Sequence, residues 1–150
     1  MEAGLVCFSH GQESGPRGTK IDALTRVAEG MGFATESLDY RGMDDPGQRV
    51  DKLIRFCAGL ASPPVLVGSS MGGHVAAAAS TEVSAVGLFL MAPAFYMPGY
   101  EDLTPGCGCR RVSIVHGWDD EVVPVDNSIR WARRYGAELH QVADDHRRGV

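Results

Sequence analysis

The sequence has no long apolar run, no basic stripe and few cysteines, and each lack removes a class of function. The apolar stretch after Met1-Glu2-Ala3-Gly4 covers only about five residues with no basic segment before it, too short and too neutral for a signal peptide or a membrane span. A cytoplasmic protein with no membrane span is the expectation. Lys and Arg number 14 against 19 Asp and Glu, a net charge of −5. Phosphate backbones need clustered cations, and Arg110-Arg111, Arg133-Arg134 and Arg147-Arg148 are isolated pairs that read as solvated surface, so no nucleic-acid partner is expected. Of the four cysteines, Cys7 and Cys57 lie in apolar periodic segments and read as small buried hydrophobes. Cys107-Gly108-Cys109 sits in a Gly/Pro loop with no second His or Cys pair at ligand spacing, so no metal site is expected. Internal repeats, low-complexity tracts and linkers are absent, as is any insertion large enough for a lid. The 150 residues, 44% of them hydrophobic, fit a single domain over 1–150.

Apolar runs and helical periodicities alternate along the chain. Runs over 4–8, 33–38, 64–68, 85–91, 111–116 and 137–142 predict strands. Apolar spacing over 19–31 predicts a helix that Gly30 and Gly32 end. Pro46 opens a second helix with Val50, Leu53, Ile54, Cys57 and Leu60 on one face. Helices are also predicted over 71–80 and 125–135. The run 85–91 is apolar without alternation, as in a strand buried on both faces of a parallel sheet. The expected fold is α/β, a three-layer α/β/α sandwich on a mainly parallel sheet of about six strands. Ligands of such sheets bind beyond the carboxyl ends of the strands, which directs attention to 9–18, 39–45, 68–72, 92–110, 117–124 and 143–150.

The most telling of these is Gly68-Ser69-Ser70-Met71-Gly72, between the run Pro64-Val65-Leu66-Val67 and an alanine-rich helix. Strand, Gly-x-Ser-x-Gly turn and helix make a nucleophile elbow, in which the flanking glycines remove Cβ atoms that would collide. A serine hydroxyl needs a base to take its proton, and histidine does this best near neutrality. His10 and His116 each end a strand, His74 points away along the elbow helix, and His140 lies inside the last strand. His146 alone sits in a loop after the final strand. The carboxylate that would orient it comes from His116-Gly117-Trp118-Asp119-Asp120-Glu121, with Asp120 favoured and Asp119 as second choice. Two backbone N–H groups are needed to bind an oxyanion: Met71, which follows the serine, and Gln12 in the loop after the first strand. Losing one such donor typically costs about 3 kcal/mol in the transition state. Phe95, Tyr96, Met97 and Tyr100 either line an acyl pocket or pack in the core or their own loop, and Trp118 beside Asp120 is a further candidate to wall the site.

These motifs resemble those of the serine hydrolases of the α/β-hydrolase fold, in particular small bacterial esterase-like members without a cap. The resemblance rests on His10-Gly11, Asp39-Tyr40-Arg41-Gly42, Gly68-x-Ser70-x-Gly72-Gly73, His116-Gly117-x-x-Asp120-x-x-Val123-Pro124 and His146, in that order over nearly the whole chain. It implies a Ser70-His146-Asp120 triad, hydrolysis of a small carboxylic ester or thioester through an acyl-enzyme, and no cofactor. Such proteins usually carry two more N-terminal strands, and a helix after the histidine that packs on the sheet. Here only Arg147-Arg148-Gly149-Val150 follow His146, so apolar sheet surface is expected to be exposed and to promote self-association into a homo-oligomer. Two alternatives keep the same fold: a binding or scaffold protein with a weakened site, and a peptidase-like amide hydrolase.

Overall fold

A computed structural model describes residues 4–99 and 105–146. Tyr100 and Arg147 to Val150 lie outside the described residues. Strands β1 (Leu5–Ser9), β2 (Ala34–Leu38), β3 (Val65–Ser69), β4 (Gly87–Met91), β5 (Val112–Gly117) and β6 (Glu138–Val142) alternate with helices α1 (Thr19–Gly30), α2 (Pro46–Ala58), α3 (Met71–Ser80) and α4 (Val125–Tyr135). The strands form one sheet in the order β2-β1-β3-β4-β5-β6, and every pairing is parallel. The mainly parallel sheet expected from the sequence is therefore parallel throughout its described strands.

Local chemistry sets the element ends. Asp45 caps α2 by accepting the Gly47 N–H at 3.2 Å, and Pro46 takes the first turn, where a missing N–H costs nothing. Helix α4 closes on Gly136 in the left-handed conformation, φ 70°, which glycine adopts without a Cβ penalty.

The two faces of the sheet are covered unequally, and this completes three layers. On one face Leu53 and Cys57 of α2, Val75 and Ala76 of α3 and Trp131 of α4 pack on Leu66, Leu88 and Ile114. On the other, α1 brings Ile21 and Ala28 against Val6, Phe8 and Val67. A fully buried leucine such as Leu53 or Leu66 is stabilised by about 1.5–3 kcal/mol relative to exposure. The α1 side retains an apolar groove between the helix and the strands, bordered by Met31, Phe33, Val65 and Phe89, with Val27 58% and Met31 72% exposed. No described helix is long and apolar enough to cross a membrane.

Candidate active site

Ser70 stands between β3 and α3 with φ 55° and ψ −118°, a region that costs a non-glycine residue about 1–3 kcal/mol and persists only where packing enforces it. The enforcement is visible. The Ser70 N–H donates to the Met91 carbonyl at 3.0 Å, and the Ser70 carbonyl accepts from the N–H groups of Gly73, Ala94 and His74. A Cβ on Gly68 would meet the Gly72 carbonyl, and one on Gly72 would meet the Ser9 carbonyl. The backbone of Ser70 is thus fully engaged while its hydroxyl stands clear of the turn.

His146 reaches that hydroxyl from beyond β6. Its Nε2 lies 3.0 Å from Ser70 Oγ and its Nδ1 lies 2.6 Å from Asp120 Oδ2. Asp120, its carboxylate fully buried, is held by its own turn: Oδ1 accepts the N–H groups of Val122 at 2.9 Å and Val123 at 2.8 Å. Asp119, the second choice from the sequence, has an exposed side chain and uses its backbone N–H on the Asp144 carbonyl. Of the two acids, the structure brings Asp120 to the histidine. A hydroxyl facing one imidazole nitrogen, with a carboxylate on the other, is arranged for the proton of the hydroxyl to pass to the ring as Oγ attacks an electrophile.

Behind Asp120 lies a residue that the sequence reading passed over as a strand end. His116 is fully buried on β5. Its Nε2 is 2.9 Å from the Val123 carbonyl and 3.1 Å from Asp120 Oδ2, and its Nδ1 is 2.7 Å from Ser128 Oγ. A carbonyl only accepts, so the proton sits on Nε2, and Nδ1 accepts from the Ser128 hydroxyl. The ring is neutral in this arrangement, in keeping with burial, which pushes its pKa below the ordinary histidine value. The spacing from His116 to Asp120 is visible in the sequence, but the partnership with Ser128 is not.

The His146 loop is anchored by groups from elsewhere. Lys20 of α1 donates from Nζ to the His146 carbonyl at 2.9 Å. Burial lowers the Lys20 pKa, opposed by the nearby carboxylates of Asp120, Asp144 and Asp145. Trp118 N–H donates to Val142 O, and Asp119 N–H to Asp144 O. Gly117 permits the close approach, since a Cβ there would strike the Asp144 carbonyl.

Met71 opens α3, where first-turn N–H groups have no intrahelical acceptor. Gln12 lies on the loop after β1 and is exposed. Gly11 next to it packs against the serine, with a Cβ built on Gly11 falling 3.5 Å from Ser70 Cβ. Neither amide donates to a backbone carbonyl among the described residues. The aromatic residues divide. Phe95 is fully buried and stacks on Trp131 at 4.5 Å, so its ring belongs to the core and the pocket-lining expectation for it is corrected. Tyr96 is half-buried with the Arg130 guanidinium 4.2 Å from its ring centroid, and Trp118 is 57% exposed. Cys107 and Cys109 are free thiols, as are Cys7 and Cys57, and burial pushes Cys7 up to about 12. Among the described residues no group of three or more His, Cys, Asp or Glu is placed to hold a metal ion.

Comparison with known proteins agrees with this layout. A family model described as the alpha/beta hydrolase family matches residues 9–148. Among solved structures, a protein of Xanthomonas campestris pv. campestris assigned to the alpha/beta hydrolase superfamily is 36% identical, with a TM-score of 0.88 over 96% of this chain and 88% of that one. The ydeN gene product of B. subtilis is 17% identical, with a TM-score of 0.82 over 96% of this chain and 88% of that one. Est1E from Butyrivibrio proteoclasticus is 18% identical, with a TM-score of 0.79 over 97% and 80% respectively; at that identity the last two show the shared fold alone. No curated protein matches the chain. The family match runs from the end of β1 through Gln12, the Ser70 turn and the loops of Asp120 and His146, so the chain belongs to the alpha/beta hydrolase family, a membership that supports hydrolysis as its class of reaction.

Proposed function

We propose that the chain is a serine hydrolase acting on a small carboxylic ester or thioester. Ser70 Oγ adds to the substrate carbonyl carbon while its proton passes to His146 Nε2. Asp120 holds the ring by its Nδ1–H and stabilises the imidazolium. The carbonyl oxygen becomes an oxyanion, received by the N–H groups of Met71 and Gln12. When the tetrahedral species collapses, the bond to the alkoxide or thiolate breaks and the leaving group takes the proton from His146. Water then attacks the acyl-Ser70 ester by the same route, releasing the acid and restoring the hydroxyl. Tyr96, half-buried, and Trp118, exposed, are the side chains proposed to meet the acyl group.

The observation that carries this reading is the continuous relay from Ser70 Oγ to His146 at 3.0 Å and from His146 to Asp120 at 2.6 Å. The anchoring of the His146 carbonyl by Lys20 weighs against the alternative of a weakened site. A fluorophosphonate probe tests the reading directly. It should label the wild-type protein and leave Ser70→Ala unlabelled, and His146→Ala should lower turnover of p-nitrophenyl acetate by at least about 10³-fold. A folded wild-type protein that takes no label would refute the assignment.

A further inference from the structure

Arg49 is a buried cation that the mechanism above does not use. It lies near the start of α2 with 1% exposure, and a guanidinium is costly to bury unless its N–H groups are satisfied. Its Nε donates to the Met43 carbonyl at 2.8 Å, and its Nη1 donates to the carbonyls of His10 at 3.0 Å and Gly11 at 3.3 Å. The fully buried His10 joins the same target. Its Nδ1 lies 2.7 Å from the Gly11 carbonyl, and its Nε2 accepts the Tyr40 N–H at 2.8 Å. The ring is thereby fixed as the neutral Nδ1–H form. Tyr40 in turn lies under the guanidinium, 5.3 Å from ring centroid to Cζ, and its hydroxyl bonds Ser9 Oγ at 2.8 Å.

The geometry of one peptide unit converts this grip into a role. No described peptide bond is cis, so the Gly11 carbonyl and the Gln12 N–H, which share a planar trans unit, point to opposite sides. Two donors from the interior, Arg49 Nη1 and His10 Nδ1, hold that carbonyl, and the Ser14 hydroxyl adds a longer contact at 3.4 Å. The Gln12 N–H must then face outward, on the exposed side where Gly11 abuts Ser70. A cation on the carbonyl side also polarises the unit and strengthens its N–H as a donor.

We propose that Arg49 is a positioning residue: with His10 it locks the Gly11 carbonyl inward and so aims the Gln12 N–H at the oxyanion formed when Ser70 attacks. The role rests on the serine-hydrolase reading, and it is distinct from simply tying α2 to the sheet, because it acts on the transition state and leaves substrate binding alone.

Arg49→Met keeps the bulk and removes the donors, and Arg49→Lys keeps the charge with fewer of them. On p-nitrophenyl acetate, Arg49→Met should lose about 10- to 100-fold in kcat with KM within about threefold of wild type, since a donor displaced by about 1 Å forfeits most of its effect. Arg49→Lys should recover part of the loss, and it carries the same kcat-against-KM test if the methionine variant does not fold. A folded variant with kcat within about threefold of wild type, or one whose loss lies in KM, overturns the proposal. A crystal structure of the variant separates this failure from failure of the parent reading. If fluorophosphonate leaves wild-type Ser70 unlabelled, the orientation of the Gly11–Gln12 peptide still decides: turned away from its inward setting, it upholds the positioning role, and unchanged, it refutes it.

Discussion

Ser70 is held by its own backbone, whereas His146 is held by what other segments give to its loop. The elbow closes within a few residues of itself and of the end of β4, using the N–H groups of Gly73, His74 and Ala94 on one carbonyl. The histidine loop follows β6, a strand that among the described residues pairs only with β5 and shows half-buried or exposed residues along its length. Its restraints come from Lys20, Asp119 and the bare backbone of Gly117. The contrast teaches where each half of the site can be disturbed. The elbow stores strain that its packing enforces, so perturbing it changes stability. The histidine loop is strung between distant anchors, so perturbing it changes geometry and rate.

Gly117→Ala gives the hardest blow to the loop. Its Cβ would meet the Asp144 carbonyl and push the chain that leads to His146. A displacement of about 1 Å at the base should cost on the order of 100-fold in kcat/KM, measured on a short-chain nitrophenyl ester with folding checked by circular dichroism. Retention of wild-type activity would mean that β6 absorbs the push before His146.

Acid should act on both halves through stability. Burial lowers the pKa of His10, beneath the loop that carries Gln12, and of His116, beneath Asp120. For a base with a lowered folded pKa, the unfolded chain takes up a proton first. Stability is therefore full above the unfolded value near 6.5 and falls as pH drops below it. Each histidine contributes a limiting slope of about 1.4 kcal/mol per pH unit. Urea midpoints should fall between pH 7.5 and 5.5, and His116→Gln should make the fall shallower. An unaltered slope in that variant would remove His116 from the account.

Lys20→Met removes a single hydrogen bond, to the His146 carbonyl, and keeps the stem that packs beside it. A loss of about 3- to 10-fold in kcat fits the worth of one such bond, about 1 kcal/mol. Ser70→Gly should show the smallest effect on stability, and of opposite sign. Glycine accepts φ 55° freely, so the melting temperature should rise by a few degrees while activity vanishes, about 1 kcal/mol being the strain released. A lowered melting temperature would mean that the turn is not strained.

Most of the architecture was legible because it is written locally. All six strands and four helices follow from apolar runs and periodicities, and their ends lie within about two residues of expectation, where fraying is ordinary. Gly68-x-Ser70-x-Gly72 and the Asp120 loop were legible for the same reason, since turn chemistry depends on neighbours. The choice between Asp119 and Asp120 stayed open because which one turns inward depends on Asp120 capping Val122 and Val123. Phe95 stays between pocket and core in the sequence because an aromatic residue in a Pro/Gly loop gives no sign that Trp131 of α4 lies beneath it. Lys20 and Arg49 were invisible as site residues, as their partners lie 126 residues away at His146 and 39 away at His10.

The position of β6 at the sheet edge also ties turnover to the order in which the molecule comes apart. Edge elements with few buried contacts open at lower free energy than the centre of a sheet. Opening β6 withdraws His146, the proposed base, and leaves the β3 to α3 turn whole, 76 residues distant in sequence from it. On the proposed mechanism, hydrolysis is therefore a readout of complete assembly: as denaturant rises, it should fade before the far-ultraviolet dichroism of the helices does.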